Sequence, residues 1–113
     1  MEISRLFEYS DIIADFDVLE YNADADKLHY KLKLSFIDGS LLFVKEYLSG
    51  TERKYSFHWQ NSSGEIMVRW DNSPYHKEVE TFPHHKHIGN QVQSSKEPEL
   101  NDVLAEIRNT IKR

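Results

Sequence analysis

Apolar and polar positions alternate through most of the first seventy residues, the period of half-buried strands. Ala14-Asp15-Phe16-Asp17-Val18 sets apolar side chains against acids, and Asn22 to Asp26 reads as a turn. Leu28, Tyr30, Leu32, Leu34 and Phe36 line one face of the next strand, with His29, Lys31, Lys33 and Ser35 on the other. Asp38-Gly39 is a strong two-residue hairpin signal, because a type I′ turn needs positive φ twice. That turn pairs Phe36 with Leu41, Leu34 with Phe43, and Lys31 with Glu46. Leu41-Leu42-Phe43-Val44 is apolar on both faces, as in a covered central strand.

At Ser49-Gly50 a three-residue turn with a bulge brings Phe43 to Phe57 and Leu41 to Trp59, while a two-residue turn brings Val44 to Tyr55. The first keeps a single core face. At Asn61-Ser62-Ser63-Gly64 a four-residue loop sets Trp59 against Ile66, Phe57 against Val68 and Tyr55 against Trp70. The opposite face then carries Lys54 across from Asp71, Ser56 across from Arg69, and His58 across from Met67. Beyond Pro74 the regular pattern lapses. Pro98 suits a first helical turn, and Leu100, Val103, Leu104, Ile107 and Ile111 follow as one apolar helical stripe. The expected fold is α+β: an antiparallel meander of about five strands over 11–71, a His-rich loop over 72–89, and an amphipathic helix over 98–112 packed on the sheet. A length of 113 residues suits a single domain, 1–113.

Composition narrows the class. No apolar run approaches the roughly 18 residues of a membrane span. The opening Met1-Glu2-Ile3-Ser4-Arg5 lacks a secretory pattern, and the chain has no cysteine, so a cytoplasmic location is the simplest expectation. Disulfides and thiolate chemistry are excluded. The net charge of −5 is uneven: residues 1–52 balance at −6, residues 53–88 at +1 with five histidines besides, and the rest at zero. Such a chain lacks the broad basic surface of a non-specific nucleic-acid binder, although a local phosphate site is allowed. The acidic first half suits a basic partner.

Four of the six histidines, His76, His84, His85 and His87, fall within twelve residues, close in sequence to Arg69 and Asp71. Imidazole exchanges protons near neutrality and ligates metals. Three readings stay open. Two histidines as base and acid, with Arg69 or Lys86 on the phosphate, would cleave RNA without a metal, and Trp59, Trp70 or Tyr75 would stack a base. Alternatively, His85-x-His87 with His76 or Asp71 would supply the ligands of an open zinc site. The cluster would otherwise be structural, or a surface for protein contact.

Three segments in order, Tyr55-Ser56-Phe57-His58-Trp59-Gln60, Arg69-Trp70-Asp71-Asn72-Ser73-Pro74-Tyr75-His76 and Thr81-Phe82-Pro83-His84-His85-Lys86-His87, resemble the TumE family of toxin–antitoxin systems. The tail Ser95-Lys96-Glu97-Pro98-Glu99-Leu100 is similar to that family's entry into a last helix, and the likeness covers about residues 50–112. Tyr75 departs from the pattern, where a small residue or histidine is expected. The resemblance implies a small cytoplasmic toxin, encoded beside a helix-turn-helix antitoxin that binds it. Many small toxins of this kind cleave RNA, an analogy at the level of system type. The resemblance carries over Trp59, Arg69, Asp71, Asn72, His76, His84, His85 and His87; with the residue chemistry above, His76, His84, His85, His87, Arg69 and Asp71 are the candidate catalytic residues, and Trp59, Asn72, Tyr75 and Lys86 the candidate substrate-binding ones. No cofactor or metal is expected, and a homodimer is compatible. A non-catalytic binding module and a metal-dependent hydrolase are the alternatives.

Overall fold

The computed structural model describes residues 3–113. Met1 and Glu2, part of the segment read above for a secretory pattern, lie outside the described residues. After a 3-10 helix over Ile3–Tyr9 come strands β1 (Ile13–Ala23), β2 (Lys27–Phe36), β3 (Leu41–Ser49), β4 (Glu52–Gln60), β5 (Ile66–Asp71), β6 (His85–Ile88) and β7 (Gln91–Ser94), then helix α1 (Leu100–Ile111). All seven strands form one antiparallel sheet in sequence order. The meander and the terminal helix match expectation, but the strand count among the described residues is seven rather than about five. The two additional strands come from the His-rich segment and the polar connector, where a two-residue turn at Gly89-Asn90, with Gly89 at φ 58°, pairs Ile88 with Gln91.

The registers differ from expectation for local reasons. The first hairpin closes with three residues, not two: Phe36 N–H donates to Ser40 O at 2.9 Å, and Gly39 takes the positive φ alone. Asp38 Oδ1 accepts from both Ser40 N (2.9 Å) and Ser40 Oγ (2.6 Å), which fixes that turn. The one-residue slip flips β3. Leu34 therefore meets Leu42, Leu32 meets Val44, Tyr30 meets Glu46, and Lys31 faces Lys45 rather than Glu46. A two-residue turn at Gly50-Thr51 pairs Val44 with Phe57 and Leu42 with Trp59, neither of the pairings weighed from the sequence. In the third hairpin Asn61 N–H reaches Glu65 O, and a bulge follows between Trp59 and Gln60 and their partners. Phe57 therefore meets Trp70, Ser56 meets Asp71 and His58 meets Arg69, so the Lys54–Asp71 pair does not form.

One face of the sheet is closed by α1 and the N-terminal segment. Tyr30, Leu32, Leu34, Phe36, Leu42, Val44, Tyr55, Phe57, Trp59 and Trp70 pack there with Leu6, Tyr9, Ile12 and with Leu100, Val103, Leu104 and Ile107 of α1. A reciprocal capping box between Glu99 and Asp102 starts the helix, satisfying backbone donors that its first turn would leave free. The opposite face stays polar and carries the site.

Candidate functional site

Arg69 and Asp71 alternate with the core residues Val68 and Trp70, so both side chains leave β5 on the polar face. Directly across on β6 stand His87, opposite Arg69, and His85, opposite Asp71. The segment between the strands turns back over this corner and brings in His76. The three imidazoles meet edge-on, with ring centroids 4.8 Å apart for His76–His85, 5.4 Å for His76–His87 and 4.9 Å for His85–His87. The trio could offer a metal one nitrogen each.

Asp71, only 6% exposed, organises the corner. Its Oδ1 accepts from Ser73 N at 3.0 Å and Ser73 Oγ at 2.7 Å, and its Oδ2 from Arg69 Nε at 3.2 Å. Burial raises the Asp71 carboxyl, but the Ser73 hydrogen bonds and the charges of His85 and Arg69 together hold it below the usual range. His85, 1% exposed, places Nε2 2.9 Å from Asp71 Oδ1 and donates from Nδ1 to the Pro83 carbonyl at 2.9 Å. His87 is part-exposed, with Nε2 3.6 Å from Asp71 Oδ2. Burial first, then the charges of His85, His76 and Arg69, holds the His87 imidazole below the ordinary histidine value, against the pull of Asp71.

Arg69 also donates from Nη1 to His58 Nδ1 at 3.3 Å, and His58 Nε2 contacts Gln60 Oε1 at 3.2 Å. Only a neutral His58 with its proton on Nε2 fits both contacts. Burial, followed by the adjacent Arg69, correspondingly lowers the His58 pKa. Arg69, Asp71, His76 and His87 line a groove of about 1120 Å³, with His29, Lys45, Tyr47, Lys54, Tyr75 and Phe82 among its other walls. Tyr75 is 79% exposed.

The structure brings together seven of the ten sequence-predicted residues: Arg69, Asp71, Asn72, Tyr75, His76, His85 and His87. Asn72 spends its amide on the β4 backbone, accepting from Tyr55 N at 3.0 Å and donating to Arg53 O at 2.7 Å. The other three, His84, Trp59 and Lys86, lie elsewhere. His84 projects from the opposite side of the chain, stacked on Tyr55 at 5.8 Å with its Nδ1 2.9 Å from the Tyr55 hydroxyl. Trp59 is in the core, donating to Ser40 Oγ at 3.0 Å. Lys86 pairs with Trp70 and lines a small cavity against α1. Sequence reasoning missed His58 as the partner of Arg69, and missed Lys45, Tyr47 and Lys54 as groove walls. The signal for the first lay in the third hairpin's register, which sets His58 directly against Arg69.

No curated protein and no solved structure matches the chain. The family profile described as Toxin TumE matches residues 3–111 and supports a toxin role. With nearly its whole length matched, the chain belongs to the Toxin TumE family.

Proposed function

We propose that the protein is the toxin of a toxin–antitoxin pair, acts in the cytoplasm, and is a ribonuclease whose chemistry resides in the imidazole corner. The observation that carries this reading is the placement of His76, His87 and Arg69 in one groove with lysines and tyrosines. Single-stranded RNA needs cations along its backbone and aromatic faces for its bases, and Lys45, Lys54, Tyr47 and Tyr75 supply both. Cleavage without a metal requires a base on the 2′-hydroxyl, an acid on the leaving 5′-oxygen and a cation on the phosphate. His87, kept neutral by its surroundings, suits the base, His76 the acid and Arg69 the cation. Arg69 is held by His58 and Asp71 through Nη1 and Nε, so Nη2 is left for phosphate. His85 is too buried to touch substrate and acts as a positioning residue through Asp71.

Partner binding falls on a different part of the molecule. β1 is an edge strand whose Phe16, Val18, Leu19 and Tyr21 are exposed amid Asp15, Asp17 and Glu20. An unpaired edge with apolar and acidic side chains suits a basic, apolar antitoxin segment, of which a helix-turn-helix protein is the expected bearer. A second copy of the chain would be a weaker fit, because like charges would meet.

A fluorophore-labelled RNA hairpin with unpaired loop bases tests the assignment. Wild-type protein in the presence of chelator is expected to leave a 2′,3′-cyclic phosphate, and a 2′-deoxy substitution at the cut site to block it. Intact RNA under all conditions, with retained binding to an antitoxin, would instead mark a non-catalytic binding module.

A further inference from the structure

Outside the hydrophobic core, the least satisfied atom of this corner is His85 Nε2. A carbonyl can only accept, so the 2.9 Å contact from His85 Nδ1 to Pro83 O places the ring proton on Nδ1. Nε2 is buried and has no hydrogen-bond partner among the described residues. The Asp71 Oδ1 acceptor lies 2.9 Å from it, approached without hydrogen-bond geometry. A buried ring nitrogen and a carboxylate oxygen left unbonded at this distance are costly unless positive charge, as a proton on Nε2 or as a metal ion, lies between or beside them. His87 Nε2 stands 3.6 Å from the other oxygen of the same carboxylate. His76 contacts Glu78 through Nδ1 at 3.3 Å, so its Nε2 is uncommitted. One nitrogen from each of the three rings lies within 4.8 Å of the others.

We propose that His76, His85 and His87 are the ligands of a divalent transition-metal ion, with Asp71 beside it as fourth ligand or counter-charge. Three imidazoles with a remaining open position are the donor set of zinc centres that do chemistry, and imidazole suits Zn²⁺, Cu²⁺ and Ni²⁺ rather than Mg²⁺ or Ca²⁺. A ligand histidine held through its other nitrogen by a backbone carbonyl, as Pro83 holds His85, is the usual outer support of such a centre. Tetrahedral zinc wants its nitrogens about 3.3 Å apart, so the rings must draw in from their present spacing. His76, on an irregular segment, and His87, at the groove, are part-exposed and have room to rotate; His85 is the fixed point. The inference departs from the metal-free expectation. A nitrogen that ligates a metal has no lone pair left for a proton, so the ribonuclease reading applies to the metal-free chain, and a loaded chain would be closed to acid–base cleavage through His76 and His87.

Loading is measured without RNA, so the ligand set and the ribonuclease reading fail separately. The full-length chain, stripped of metal, is titrated with Zn²⁺ against a chromophoric chelator, and with Co²⁺ for its visible spectrum. One ion per chain is expected, with the intense absorption of four-coordinate Co²⁺. His76→Ala and His87→Ala change part-exposed positions and should each weaken Zn²⁺ binding by more than roughly tenfold, whereas His84→Ala should leave it unchanged. Absence of stoichiometric binding, or equal binding by wild type and the His76→Ala and His87→Ala variants, would overturn the assignment. So would an equal loss in His84→Ala, the mark of adventitious capture by the histidine-rich run.

Discussion

Replacing Arg53 by methionine should cost far more stability than its place near a turn suggests. The one-residue slip of β3 carries Glu46 into the closed side of the sheet, where it is 6% exposed. Its Oε1 accepts from the Tyr30 hydroxyl, and its Oε2 from Arg53 Nε at 2.6 Å. Arg53 then reaches the entry of α1, donating to Glu97 Oε2 and to Pro98 O at 2.9 Å each, and lies over the Tyr55 ring at 4.3 Å. The contact to the half-exposed Glu97 adds less than about 1 kcal/mol. Stranding Glu46 is the larger effect, because breaking a buried pair by removing one partner costs about 3–5 kcal/mol. A chain of this size has a total stability of roughly 6–17 kcal/mol, so the loss is a substantial fraction. Urea denaturation should show it as a midpoint lowered by roughly 1–5 M with unchanged slope. The double variant Glu46→Leu/Arg53→Met removes both charges and should recover most of the loss. A single-variant cost below about 1 kcal/mol, or a double variant no better than the single, would refute the buried-pair account.

Two further outcomes test the polar face. Arg69→Ala should weaken RNA binding and reduce the salt slope by roughly 0.7, as expected for one lost phosphate contact, measured by fluorescence anisotropy across ionic strength. Its effect on stability should stay under about 1 kcal/mol, since Arg69 is 38% exposed. His58 has a folded pKa below the ordinary 6.5, chiefly through burial and then Arg69. The unfolded chain therefore takes up this proton first, so the contribution is complete above about pH 6.5 and is lost as pH falls through the folded value. His58→Gln should flatten the fall in stability between pH 7 and 5 seen by urea melts, and an unchanged slope would reject the neutral tautomer.

The strands and the helix were legible because alternation and the α1 stripe report burial directly. Registers were not, because each rests on one turn's hydrogen bonds. Asp38 capping Ser40 lengthens the first turn by one residue and reverses β3, so Glu46 was misread as a surface partner of Lys31. In the third hairpin two one-residue departures, the Asn61–Glu65 closure and the bulge, cancel in parity. His58, Arg69 and Asp71 accordingly share the face expected for them although each partner was wrong. The additional strands were hidden because β6 and β7 are four residues each and polar, held by pairing rather than by apolar pattern. His84 illustrates the limit for the site: adjacent to His85 in sequence, it lies just before β6 and turns the other way, onto Tyr55.

The most direct test of the ribonuclease assignment is induced expression of wild type beside a His76→Ala/His87→Ala double variant, matched for abundance and fold, with RNA ends mapped across the transcriptome. Growth arrest with new RNA ends in the wild type alone is the predicted result. Arrest with intact RNA, or arrest and cleavage undiminished in the double variant, would contradict it.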